Sequence, residues 1–294
     1  MSKQYLVLVW GFLAALIVSL SIHIVMLQNL GVPYPDHSTV PMLPRYINTG
    51  CSLLALLVFY HLASHRLSRL PLLLRCLLVF ALYAMVKEAL IRANVMEGVV
   101  TTAWVFPWIK SAPRLLSYLL VACAVVLLNP IIKRRWQMVL AAVVLAAVVM
   151  FGLEPLLGAV FNPIIGSFAY LAHDDVYAVP YGWQVMIPAY ITYAEPVLAS
   201  FVIVALTWQT IARQNNLRIV YSVLLGGFMK GALLPLFLYS PFLDLNFPTA
   251  MLSESQFTFE VLALALIVAL TWWRHQTKTG GELDRPGALD RRHT

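Results

Sequence analysis

Two lysines stand inside long apolar runs, where an ammonium group is expensive. Lys87 follows Arg75 by 12 residues, and Lys230 follows Arg218 by 12 residues. If each arginine marks a membrane boundary and the chain between is helical, both lysines lie about 18 Å into a hydrocarbon layer roughly 30 Å thick. An unpartnered lysine at that depth costs on the order of 2.5–3.5 kcal/mol on insertion scales, so two of them demand partners or water. The carboxylates able to answer are Glu88, Glu195, Glu260 and Glu154. Adjacent helical residues point about 100° apart, so Glu88 does not serve Lys87, and pairing between helices is expected.

Such a set supports two chemistries. As a structural device, the charges form buried ion pairs that fix helix register. As a functional one, they line an outward-facing polar cavity. Lys87 and Lys230 then attract an anionic or zwitterionic solute, while Glu88, Glu195 and Glu260 balance charge or exchange protons. Pro188 and Glu195-Pro196, together with Gly226-Gly227, Gly231 and Pro235 around Lys230, favour kinked helices whose freed carbonyls line a cavity.

Other signals are weaker. His61 and His65 have the i, i+4 spacing of a ligand pair. The corresponding positions in the repeat described below are Ala205 and Gln209, which argues against twin haem ligation. Asp36-His37 and His173-Asp174-Asp175, with His23 or Glu154, offer oxygen and nitrogen donors for a divalent metal, but loop acids and histidines are ordinarily solvated, and no metal site is assigned. Trp104, Phe106, Trp108, Tyr177, Tyr181 and Trp183 form an interfacial aromatic belt. No Walker loop, dinucleotide fingerprint, nucleophile elbow or zinc-protease helix occurs, so no motif names a cofactor.

The elements that position these residues are membrane spans. The chain is 61% hydrophobic and 11% charged, with a mean hydropathy of +0.81, a composition that excludes a soluble domain. Apolar runs predict eight transmembrane helices, near Tyr5–Leu27, Tyr46–Ser64, Leu72–Ile91, Leu115–Ile132, Trp136–Leu153, Val185–Ile211, Ile219–Tyr239 and Phe257–Trp273. The first is read as a retained helix because it lacks the cleavage pattern of a secretory signal. Arginine and lysine clusters at Arg66/Arg69/Arg75, Lys133/Arg134/Arg135, Arg213/Arg218 and beyond Arg274 fall on alternate sides of the spans. By the positive-inside rule this puts both termini in the cytoplasm of an inner (plasma) membrane protein. The net charge of +7 is thereby explained without a nucleic-acid partner. Cys51, Cys76 and Cys123 fall in different spans and suggest no disulfide.

The chain also resembles itself. Val32-Pro33-Tyr34 precedes Met42-Leu43-Pro44-Arg45-Tyr46-Ile47, and Val179-Pro180-Tyr181 precedes Met186-Ile187-Pro188-Ala189-Tyr190-Ile191. The match runs on through Leu54-Ala55 with Leu198-Ala199 and Arg69 with Arg213. After one deletion it continues through Arg75 with Arg218 and Lys87-x-Ala89-Leu90 with Lys230-x-Ala232-Leu233. Four spans per unit keeps both halves in one orientation, so the expected fold is an all-α polytopic membrane protein built as a tandem 4+4 parallel repeat with a pseudo-two-fold axis along the membrane normal. The divisions are residues 1–135, residues 136–277 with an extra outer loop that includes Phe161-Asn162-Pro163, and a disordered cytoplasmic tail over 278–294.

The function this suggests is transport: a permease-like protein with an outward-facing site between the repeats, in which Lys87, Lys230, Glu88, Glu195 and Glu260 bind substrate. A structural subunit or assembly factor working with other envelope proteins is the alternative from another class. A membrane enzyme attacking a lipid-borne substrate from the outer face is a third.

Overall fold

The structure is a computed structural model that describes residues 3–101, 103–172 and 181–283. It is built of helices: α1 (Lys3–Ile24), α2 (Met42–Leu67), α3 (Leu72–Val86), α4 (Arg92–Val99), α5 (Val105–Leu128), α6 (Arg135–Ala147), α7 (Glu154–Ser167), α8 (Trp183–Thr192), α9 (Ala194–Ile211), α10 (Asn215–Lys230), α11 (Pro235–Leu238) and α12 (Phe247–Leu283). Prolines punctuate the starts, where a missing N–H is harmless: Pro44 in the first turn of α2, Pro196 in that of α9 and Pro235 opening α11. A wide π turn, Val148–Leu153, joins α6 to α7, and another, Val25–Asn29, ends the first span.

Among the described residues, six helical stretches are long and apolar enough to cross a membrane: Tyr5–Asn29, Met42–Leu67, Val105–Leu128, Arg135–Ser167, Trp183–Ile211 and Phe247–Lys278. A seventh forms if Asn215–Lys230 and Pro235–Phe242, bent by 56°, count as one broken span. Leu72–Val86 is apolar but has 15 residues, about 22 Å of helix, short of a full hydrocarbon layer. The chain is therefore an all-helical, multi-pass membrane protein, and the continuous span expected over Leu72–Ile91 is corrected to a short helix that stops at Val86. Two further expectations change. Phe161-Asn162-Pro163 lies within α7 rather than in a loop, because the apolar run Leu156–Ile165 outweighs the one intrahelical hydrogen bond that Pro163 removes. Helix α12 continues past Trp273 to Leu283, so the polar tail begins later than expected; residues 284–294 lie outside the described residues.

Large apolar side chains such as Trp10, Ile17, Leu73, Val139, Val144, Phe151 and Leu156 are exposed around the bundle, an arrangement that is unfavourable in water and suited to lipid. Inside, one cluster joins α2, α3, α5 and α6 to α9 and α10 through Leu56, Phe59, Val79, Val125, Ala146 and Met229. A second joins α1, α8, α9 and α12 through Leu20, Tyr193, Val197, Trp208 and Val268. Helix α1 lies so close along α12 that a Cβ on Gly11 would collide with Thr271. Helix α2 packs on α10, and α9 packs on α3, so the two helices that end at the lysines are each held by a partner from the other half of the chain.

Candidate functional site

Both lysines end helices. Lys87 is the C-cap of α3 and Lys230 the last residue of α10. The next residue in each case is left-handed: Glu88 at φ 55° and Gly231 at φ 78°. Each end then closes in the same way, with Ala89 N–H donating to the Ala84 carbonyl (2.8 Å) and Ala232 N–H to the Gly227 carbonyl (3.2 Å). Glycine adopts this conformation freely, whereas a side chain there costs about 1–2 kcal/mol, and Glu88 is the one non-glycine residue with positive φ among the described residues. A strained backbone of this kind persists where its surroundings over-determine it.

The surroundings of Glu88 do so. Its Oε1 accepts a hydrogen bond from the Lys230 ammonium on α10, and its Oε2 accepts one from Arg92 Nε at 2.8 Å. Arg92 also donates through Nη1 to the Ala189 carbonyl and to Thr192 Oγ1, and its guanidinium lies 5.2 Å from the Tyr193 ring centre. Lys87 turns the other way. Its ammonium donates to the Lys230 carbonyl at 2.9 Å, caps the C-terminal end of α10, and lies 5.5 Å from the centre of the Tyr83 ring. Asn48 on α2 donates to the Gly231 carbonyl (3.0 Å) and to the Tyr239 hydroxyl (3.1 Å), bracing the second break.

Glu195, at the start of α9, braces the first. Its two carboxylate oxygens accept the amides of Leu90, Ile91 and Arg92, the orphan donors at the start of α4. Glu260, on α12, is 4% exposed. The Tyr193 hydroxyl lies beside it.

Four of these charged groups meet at one space. A cavity of about 520 Å³ is lined by Glu88, Arg92, Lys230 and Glu260, by the rings of His23, Tyr34, Tyr181 and Phe257, and by apolar side chains of α1, α8 and α12. That volume falls within the range of small-molecule sites. His23 packs on Phe257 at 4.9 Å with the rings tilted by 40°, and Tyr34 meets Phe257 edge-on at 5.3 Å.

Of the five residues expected from the sequence, Glu88, Lys230 and Glu260 share this cavity. Lys87 and Glu195 do not line it and instead hold the two broken helices. Of the two lysines, only Lys230 has a carboxylate partner, and that partner belongs to another helix. Sequence reasoning missed Arg92, which falls one residue past the span read as ending at Ile91, although its position four residues after Glu88 was a usable signal. It also missed the aromatic wall, because Tyr34 was read only as part of a repeated tripeptide.

The weaker sites resolve differently. Asp36 accepts from the amide (2.8 Å) and hydroxyl (2.9 Å) of Ser38, bonds that hold its carboxyl below the usual carboxylate range, and His37 Nε2 contacts Glu254 at 2.7 Å. Both loop residues are thus engaged within the protein. No group of three or more His, Cys, Asp or Glu side chains able to hold a metal occurs among the described residues. His173, Asp174, Asp175 and Tyr177 lie outside the described residues.

No protein-family model, curated protein or solved structure matches the chain.

Proposed function

We propose that the protein is permease-like: an inner-membrane protein with cytoplasmic termini that binds a small anionic or zwitterionic solute in an outward-facing cavity between two four-span units. One observation carries the reading. Glu88, Arg92, Lys230 and Glu260, drawn from two broken helices and α12, converge on a single cavity at a depth where uncompensated charge is unfavourable. Discontinuous helices whose ends meet at mid-depth are a recurring way to build solute sites in transporters.

The repeat and the eight-span reading have support of their own. The left-handed residues, the lysines and the closing hydrogen bonds of α3 and α10 all stand at the same offset that separates Lys87 from Lys230. Each of the two broken segments is followed by a short helix, α4 or α11, and α10 with α11 is long and apolar enough to count as one bent span. The crossed packing of α2 on α10 and α9 on α3 is what a two-fold relation between halves demands.

A scaffold reading has one observation in its favour: Lys87 and Glu195 act on backbone ends and reach no cavity. Replacing Glu88 and Lys230 together by Met separates the two. Glu88 and Lys230 leave together, and Arg92, which loses its carboxylate, keeps the Ala189 carbonyl and Thr192, so folded yield in the membrane is read alongside activity. Under the permease reading, this double variant reaches the membrane at normal yield and fails to restore the uptake or growth defect of a deletion strain. Normal yield with full restoration would leave the scaffold reading ahead.

A further inference from the structure

A second cavity, of about 520 Å³, lies where the last turns of α2, the first turn of α3 and the end of α5 meet, at the far end of α3 from Lys87. Tyr60, His65, Arg75 and Asn129 line it, and none of these four side chains makes a hydrogen bond or ion pair among the described residues. Tyr60 is 2% exposed, and Arg75 Nε is buried without an acceptor. Buried polar groups are nearly always bonded, so unbonded donors gathered around one space call for an acceptor from outside the chain.

No carboxylate answers them. Asp and Glu are absent from residues 37–87 and 98–153, which contain all three helices, and none lines the cavity. Arg218, which matches Arg75 in the sequence repeat, supplies the contrast: it donates to the Ala212 carbonyl (2.9 Å) and to Asn215 Oδ1 (3.1 Å), and its guanidinium lies 5.8 Å from the centre of the Trp208 ring. One arginine is closed off within the protein and the other is left open to a cavity. Leu72 and Leu127 on the cavity wall are 48% and 54% exposed, which joins the cavity to the apolar outer surface of the bundle.

We propose that this cavity is a phosphate site, separate from the Glu88–Lys230 cavity and independent of the solute-binding reading. Arg75 supplies the charge and a planar fork of donors, and Tyr60, His65 and Asn129 supply the rest. A carboxylate is satisfied by the fork alone, whereas a phosphate keeps further oxygens for the other three. Two sources carry this chemistry: the headgroup of an anionic phospholipid, whose chains would leave past Leu72 and Leu127, and a soluble phosphate compound.

The test uses the full chain in maltoside micelles, which carry no phosphate, at constant ionic strength in chloride. Thermal unfolding is followed during titration with phosphatidylglycerol, with diacylglycerol (the same chains without phosphate), with glycerol 1-phosphate and with inorganic phosphate. A phosphate-bearing probe is expected to raise the midpoint, diacylglycerol to leave it unchanged, and Arg75→Gln to weaken the effective probe about 10-fold or more. Arg69→Gln, which removes an equal charge from a residue that does not line the cavity, should leave it within about 2-fold of wild type. Tyr60→Phe removes one donor at nearly constant volume and should weaken the same probe about 3-fold or more, so the proposal stays testable if Arg75→Gln does not fold. Stabilisation by phosphatidylglycerol alone would assign the source to lipid, and stabilisation by glycerol 1-phosphate or inorganic phosphate would assign it to a soluble compound. The proposal is overturned if no phosphate-bearing probe acts on wild type, if diacylglycerol acts as strongly as phosphatidylglycerol, if Arg69→Gln loses as much as Arg75→Gln, or if Tyr60→Phe loses nothing.

Discussion

Lys87 and Lys230 form a one-way interlock: the ammonium of the first caps the main-chain carbonyl of the second at 2.9 Å, while the ammonium of the second reaches past it to Glu88, the residue after the first. The two broken helix ends thus meet through both lysines. One lysine is given to backbone architecture, which leaves the other to face the cavity.

The two left-handed positions are expected to respond differently to substitution. Gly231→Ala adds a Cβ at φ 78° that would sit 3.1 Å from Lys87 Nζ, so it should lower stability by about 1–3 kcal/mol. Glu88→Gly relieves about 1–2 kcal/mol of backbone strain yet leaves Lys230 without its carboxylate, a loss of about 3–5 kcal/mol, and should be net destabilising. Thermal unfolding in detergent checks both. A more stable Glu88→Gly would mean that the ion pair contributes little.

Glu195 and Lys87 should differ in the same assay. Glu195→Ala strands three amides at the start of α4 and should cost about 3 kcal/mol or more. Lys87→Met removes a buried charge whose partner is a neutral carbonyl and should stay within about 1 kcal/mol of wild type. Equal losses in the two variants would contradict the roles given to them.

Topology reporters placed after Arg69, Arg135, Arg213 and Arg274 should give a cytoplasmic signal, and those near Asp36, Lys110 and Asp244 an external one. The basic clusters motivate this, and it requires both broken segments to carry the chain across. An external signal at Arg135 would remove one crossing and with it the equal orientation of the halves.

Partner type was legible in the sequence. The need for an inter-helix carboxylate followed from helix geometry, and Glu88–Lys230 meets it. The break after Lys230 was half legible, since Gly231 and Pro235 signal interruption, and it was read as a kink. The break after Lys87 was not legible: Glu88-Ala89-Leu90 contains neither glycine nor proline, and its left-handed turn is held by tertiary contacts that a single segment does not display. Arg92 was missed for the same reason, because a continuous helix would have carried it out of the span. The length of α7 was hidden by Asn162-Pro163, whose local preference yields to the apolar residues around it.

The claim that water and solute reach the Glu88–Arg92–Lys230–Glu260 cavity from the Asp36 side is tested most directly at Ala93, a small, half-buried residue on its wall. With Cys51, Cys76 and Cys123 replaced, Ala93→Cys should react with a membrane-impermeant maleimide added outside intact cells, and a cysteine at Tyr34 should react in parallel as the exposed control. Ready labelling at both positions is expected. Labelling at position 34 with none at position 93, or labelling of position 93 only after the cytoplasmic face is opened, would contradict it.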